Sequence, residues 1–366
     1  MAENMISIAR NSGKISQTFD FESPVFSANT SCSDEGVIIL HLKSDRVELK
    51  VLPFQGQQIW SASIDGRELT MKSLVNIPVH TKDYLRNYGA FFVHCGATAI
   101  GGPSPLDNHP IHGELPNASY NKAWLATGQD EDGNAFVELH GRYFHQVAMT
   151  CSYEAHPIIR LTQNSNLVDV SMSITNHAGR EMDLMYMAHV NFLPIDDSKI
   201  VATHKWDQSS VRVISDLPSH VKEKATPEFI EFLKTAGTQP ELSSKIPKGM
   251  QFDPELVAEI DYVGDEQGLG HTLIIHPNGV SDYLAQGIDS LPLGIRYLQR
   301  TPDHDCVGTG PSTSGVTGKL SEMRKGTVKS LAPGEEFLAK IQFGTLNKLE
   351  TRQVQAQIAQ VIGAGT

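Results

Sequence analysis

The sequence predicts an all-β protein, a large antiparallel sandwich with a few short helices. Three observations carry this. Apolar residues recur at every second position in most long segments, Gly, Asn and Asp separate those segments at hairpin spacing, and few stretches show helical spacing. Many short antiparallel strands joined by such turns fit a sandwich better than a parallel α/β sheet.

Taken in order, residues 1–36 are polar and read as an N-terminal arm that docks on the body or on another subunit. Segment 37–53, VIILHLKSDRVELKVLP, reads as two strands about Ser44 and Asp45; segment 57–72 is a second pair about Asp65-Gly66. Segments 123–155 and 167–194 continue the rhythm, the first turning at Asp132-Gly133. Near the end, 271–277, 294–300 and 336–344 alternate in the same way. PEFIEFLKTAG (227–237) has helical spacing and a terminal Gly, so it reads as a short helix in an insertion; 349–363 is amphipathic. The expected organisation is the arm, one domain over 37–346 and a C-terminal helix over 347–366.

Composition narrows the function. The chain has 366 residues, 40% hydrophobic and 20% charged, enough to bury a core. A net charge of −12 with no basic stripe excludes nucleic acid and anionic membrane as non-specific partners. Cys32, Cys95, Cys151 and Cys306 form no CxxC pair, which argues against a zinc ribbon or redox dithiol. The start MAENMISIARNSGK lacks the apolar run of a secretion signal and no segment reaches membrane-span length, so the expected location is cytoplasmic.

Two motifs resemble binding loops and fail on spacing. GTGPSTSGVTGK (308–319) has Thr313 where a phosphate loop needs its first Gly, and Leu320 where it needs Ser or Thr. DEDG (130–133) lacks the later ligands and closing Glu of a calcium loop, and is a hairpin turn. No cofactor is expected.

Histidine is more informative. Of fifteen, His41, His145 and His276 read as isolated surface or core residues. His94 ends the run GAFFVHCG, His112 sits in the broken stretch HPIHGELPNA, and His189 alternates with apolar neighbours in YMAHVNF, sharing a strand face with Asn191. Three titratable groups beside irregular loops suggest a site rim. Glu114 completes a ligand set for a metal on paper, yet no HxH or HxxxH spacing supports one.

At these residues the chain resembles a known family. FFVHCGATAIGGPSPLDNHPIHGELPNA (91–118) and VDVSMSITNHAGREMDLMYMAHVNFLP (168–194) are similar to two blocks of the aldose 1-epimerase-like, or galactose mutarotase-like, proteins. Weaker likenesses at 52–69 and 307–315 keep the same order. The resemblance implies a β-sandwich with a sugar cleft and interconversion of sugar anomers. In that chemistry a carboxylate removes the anomeric proton while an imidazolium donates to the ring oxygen. It casts His189 as the general acid, His112 as a ligand of a sugar oxygen, Arg86 as a hydroxyl-binding arginine and Asp261 as a sugar-binding acid. His94, Glu114 and Asn191 complete the expected lining. One position departs: where the family carries its catalytic Glu before Pro-x-Thr, this chain has Gly310 before Pro311-Ser312-Thr313. Glu114, Asp303 and Asp305 are the substitutes within reach of that block. The expected partner is a small sugar or sugar derivative, and the arm permits a homo-oligomer. A non-catalytic sugar sensor and a metal-dependent sugar isomerase are the alternative readings.

Overall fold

A computed structural model describes residues 2–9, 19–215 and 225–364. Two sheets face each other, one of ten strands and one of thirteen. The smaller runs from the edge strand Ala2–Ser7 through Lys122–Gln129, Ala135–Val147, Cys151–Thr162, Leu167–Asn176 and Glu336–Leu346, and on to Ser281–Gly287, Leu269–Ile275, Ser198–Ala202 and Lys245–Ile246. In the larger, Phe252–Asp261, Leu293–Arg300, Asp305–Ser312, Met182–Phe192, Phe92–Ala97 and Ile59–Ile64 lie side by side, followed by the early strands to Asp20–Glu22. The strand pairings within both sheets are antiparallel, as alternation with tight turns requires. This is the sandwich expected from the sequence.

Period two has a direct energetic reason here. In Cys151–Thr162 the residues Tyr153, Ala155, Pro157, Ile159 and Leu161 are buried while those between them are only partly so, so one register satisfies the core and a slip by one reverses it. Between the sheets these residues meet Leu40, Leu49, Phe92, Tyr186, Val190, Leu298 and Val307 in one continuous core. A second apolar cluster lies on the other face of the larger sheet: Val93, Cys95, Met185, Met187, Ile295 and Cys306, covered by Tyr84, Tyr88, Ala99 and Ile100 from loops. The larger sheet is therefore buried on both faces, and that outer cluster is the floor of the candidate site.

The short helix forms over Pro227–Thr238, with Thr226 as N-cap accepting from the Phe229 amide at 3.2 Å and Phe229, Leu233 and Ala236 buried. The C-terminal helix, Lys348–Ala364, sets Ile358 against Leu273, Tyr283 and Ala285 on the outside of the smaller sheet. The polar start is more ordered than its composition suggested. Ala2–Ser7 extends the smaller sheet by pairing with Lys122–Gln129, and Ser27–Cys32 pairs with Ile38–Lys43 in the larger. Edge pairing supplies backbone hydrogen bonds without demanding apolar side chains on both faces, so polar strands serve there. No described helix is long and apolar enough to cross a membrane.

Candidate functional site

Alternation along Met182–Phe192 sends Tyr186, Ala188 and Val190 into the core between the sheets and Met185 and Met187 to the outer face. His189 and Asn191 follow the methionines outward. Asn191 is fully buried: its Oδ1 accepts from the Tyr88 hydroxyl at 3.3 Å, and its amide donates to the Ala90 carbonyl at 3.0 Å. It anchors the loop that carries Tyr88 over the floor.

His112 arrives from the covering loop. Its backbone carbonyl accepts from the Gly96 amide at 2.9 Å, and its own amide donates to the Gly101 carbonyl at 2.9 Å, tying the loop to the end of the Phe92–Ala97 strand. Gly113, at φ 76°, runs so close that a Cβ would fall on the carbonyl oxygens of Ala99 and Gly96; only glycine fits. The His112 and His189 rings stand 5.5 Å apart, nearly perpendicular. Tyr84 packs 4.7 Å from His112, and Tyr88 and Tyr297 lie 5.9 and 6.1 Å from His189. Two distant histidines are thus gathered into one aromatic site.

Burial sets the charge of this site. It lowers His189 to about 4, partly opposed by a hydrogen bond with Asn191. His112 is pushed well below 6.5, first by burial and then by the neighbouring His189 and His109. Burial thus favours the neutral form of both rings, whereas the resemblance casts His189 as an imidazolium donor. The Gly101 amide donates to His112 Nδ1 at 3.2 Å, which leaves the Nε2–H as a donor. The Nδ1 of His189 and the hydroxyl of Tyr84 are buried without a partner.

The remaining expected residues divide. Arg86 is exposed in the single turn Leu85–Asn87, between Tyr84 and Tyr88. His94 turns away: paired across from Ala188, it points between the sheets, where Nδ1 meets the Tyr186 hydroxyl at 2.7 Å and burial lowers it to about 3. Glu114 is engaged by the frame, accepting from the amides of Ala97 and Thr98 at 3.2 Å and from the Tyr153 hydroxyl at 2.7 Å. Asp261 lies on the edge of the sheet in a forked pair with Arg212 at 2.6 and 2.9 Å. Of the two other substitutes, Asp305 pairs with Arg300 at 2.8 Å and Asp303 is exposed in a turn.

Strand register carries the Gly310 departure further. Met187 pairs with Ser312 and Val190 with Thr309, so Gly310 stands opposite His189 on the outer face. A Cβ there would come within 2.7 Å of the Met187 sulfur, and one at Gly308 within 2.9 Å of Tyr297. Bulky neighbours occupy the room that a carboxylate would need. A carboxyl group on this face is Glu255, on the strand Phe252–Asp261, in the alternation that takes Leu256 and Ala258 to the core. It lies beside the Tyr297 hydroxyl, which donates its proton to Gln299 at 2.9 Å; burial raises the pKa of Glu255, partly offset by interaction with Tyr297. Tyr84, Tyr88, Tyr297 and Glu255 escaped the sequence reading. The signal available was the alternation Glu255, Val257, Glu259 against Leu256, Ala258, Ile260, together with tyrosines on both sides of Arg86.

The tempting 308–319 stretch has a structural role. Glu322, fully buried in the helix Lys319–Lys325, accepts from the hydroxyls of Thr317 and Thr327 at 2.6 and 2.8 Å and from Lys325 at 2.8 Å. Gly315 leaves space for that carboxylate, 2.7 Å from where a Cβ would stand. Among the described residues, no three His, Cys, Asp or Glu side chains converge as a metal site.

A family model described as a domain of unknown function, DUF4432, matches residues 34–344. The chain belongs to the DUF4432 family. Among curated proteins, none matches it. Solved structures do. A "putative aldose 1-epimerase" from Klebsiella pneumoniae superposes with a TM-score of 0.79 at 18% identity, over 96% of this chain and 92% of the other. A galactose mutarotase-like protein from Clostridium acetobutylicum gives 0.57 at 12% identity, over 89% and 100%. A galactose mutarotase related enzyme from Lactobacillus acidophilus gives 0.51 at 13%, over 91% and 98%. At such identities the likeness establishes the fold: this DUF4432 chain has the galactose mutarotase-like sandwich.

Proposed function

We propose that the chain binds a neutral sugar over the outer face of its larger sheet and interconverts the anomers. The observation that carries this reading is the 5.5 Å approach of His112 and His189, from segments 77 positions apart, amid three tyrosines. Tyrosine and imidazole rings suit the mixed apolar and hydroxylated faces of a sugar. The chemistry needs a base for the anomeric hydroxyl and an acid for the ring oxygen. His189, neutral through burial, is the base; Glu255, whose proton is held more tightly than an ordinary carboxyl's, is the acid. His189 takes the O1 proton as Glu255 gives one to the ring oxygen; the C1–O bond breaks, the aldehyde rotates, and closure on the other face returns both protons. His112 donates its Nε2–H to a sugar oxygen, and Arg86 is a further contact at the rim. This reverses the polarity that the family resemblance implied, because burial favours neutral forms of both partners.

Exchange between anomers of freshly dissolved aldoses, followed by NMR, tests the reading. The wild type accelerates exchange for at least one sugar, and His189→Gln and Glu255→Gln each lower the rate by about 10²-fold or more. Saturable sugar binding with no acceleration across a broad panel rejects catalysis. That result supports a non-catalytic sugar sensor, a reading favoured by Met187 filling the space opposite His189.

A further inference from the structure

On the opposite face of the strand that carries Tyr297, Arg296 points between the sheets with 1% of its surface exposed. Its Nε, Nη1 and Nη2 atoms make no hydrogen bond of good geometry, and the Tyr262 phenol is a weak partner. A guanidinium keeps its charge even when buried, and an uncompensated buried charge is among the costliest features a fold can carry. No carboxylate among the described residues pairs with it; what favours its charge is the Tyr262 phenol, through its field and a side-chain hydrogen bond, and that phenol is also bonded to Thr272 at 2.6 Å. The Trp206 ring, 5.6 Å away, offers a cation–π contact that offsets only part of the cost. Two further polar atoms nearby are buried and unpartnered. Thr309, the direct cross-strand neighbour of Arg296, has a free hydroxyl. His204, whose ring packs 4.5 Å from Trp206, meets the Lys205 carbonyl through Nδ1 and leaves Nε2 bare.

We propose that the chain holds one small monovalent anion between its sheets, seated on the Arg296 guanidinium with the Thr309 hydroxyl as second donor. One guanidinium balances one negative charge, and the Trp206 ring, His204 and the Tyr262 phenol lie near it. A halide satisfies Arg296 and Thr309. A protonated oxyanion such as bicarbonate also donates to His204 Nε2, the acceptor left by the Nδ1 bond. The site is separate from the proposed sugar site, since its residues occupy the other face of the same strands, and it stands or falls without it.

The test uses the whole chain exchanged into sodium gluconate, whose anion is bulky. Chloride, bromide, formate and bicarbonate are then titrated at constant ionic strength while the unfolding temperature is followed. A saturable rise with a small anion and none with gluconate is expected, with a weakened midpoint in Thr309→Val and no response in Arg296→Met. Bicarbonate outperforming chloride identifies the oxyanion; the reverse identifies a halide. Because Arg296→Met may fold poorly, wild-type crystals grown in bromide give an independent readout. An anomalous peak at the guanidinium supports the proposal; ordered water alone there, or equal unfolding temperatures in all salts, overturns it.

Discussion

Acidification should unfold this protein through its buried imidazoles. His94, His189 and His204 are 0%, 7% and 1% exposed, and burial lowers them to about 3, 4 and 4. In the unfolded chain each titrates near 6.5. The folded pKa values are depressed, so the unfolded state binds protons first as pH falls, and stability present above pH 6.5 is lost on the way to pH 4. Relative to pH 7, each ring contributes a loss of about 1.8 kcal/mol at pH 5, about 5.5 kcal/mol for the three, rising to about 9 kcal/mol at pH 4. Glu255 and Asp169, whose pKa values burial raises, act in the opposite sense and soften the loss. Whole-protein stabilities are about 5–15 kcal/mol, so the transition falls between pH 5 and 4. Urea unfolding at pH 7, 6 and 5, followed by tryptophan fluorescence, measures it. His204→Phe should remove about 1.8 kcal/mol of the loss between pH 7 and 5. A loss below about 1 kcal/mol between pH 7 and 5 would refute the reasoning, because it would mean that these rings are not held neutral by the fold.

Two further outcomes probe the loop and the proton inventory. Gly113→Ala should cost about 2–4 kcal/mol by urea unfolding and abolish anomer exchange, since a Cβ at positive φ meets two carbonyls, whereas Gly133→Ala, at φ 82° with open space around it, should cost about 1 kcal/mol. The alkaline limb of the exchange rate should persist in the residual rate of His189→Gln and vanish in Glu255→Gln; the opposite pattern assigns the titrating acid to the histidine.

How far the sequence revealed this arrangement depended on how many faces of each strand are covered. Where one face meets the core and the other is less buried, as in Cys151–Thr162, alternation is plain and the strand is legible. Phe92–Ala97 is buried at every residue, so its apolar run says strand but hides which parity faces the site. That is why His94 read like His189. Only the cross-strand pairing of His94 with Ala188, and of His189 with Val93, separates them. Glu114 is a different case: its loop does border the site, but one residue of the motif serves the site and another two positions on holds the frame. Sequence proximity could not divide those duties, because left-handed turns at His112 and Gly113 reorient successive side chains.

The same double burial links the site to the rest of the molecule. A sheet covered on only one face would leave outward histidines solvated, with ordinary titration. Here loops carrying Tyr84, Tyr88 and His112 form a second core over the outer face, so polar groups there are desolvated too, His189 somewhat less than His94 between the sheets. Glycine at 308 and 310 belongs to that design: it admits Tyr297 and Met187 to the floor, and in doing so removes the position opposite His189 from use by a carboxylate. Glu255, farther along the sheet, lies beside Tyr297, where burial raises its pKa above the ordinary carboxyl value. Covering the outer face thus sets both the shape of the site and the protonation state of its polar groups.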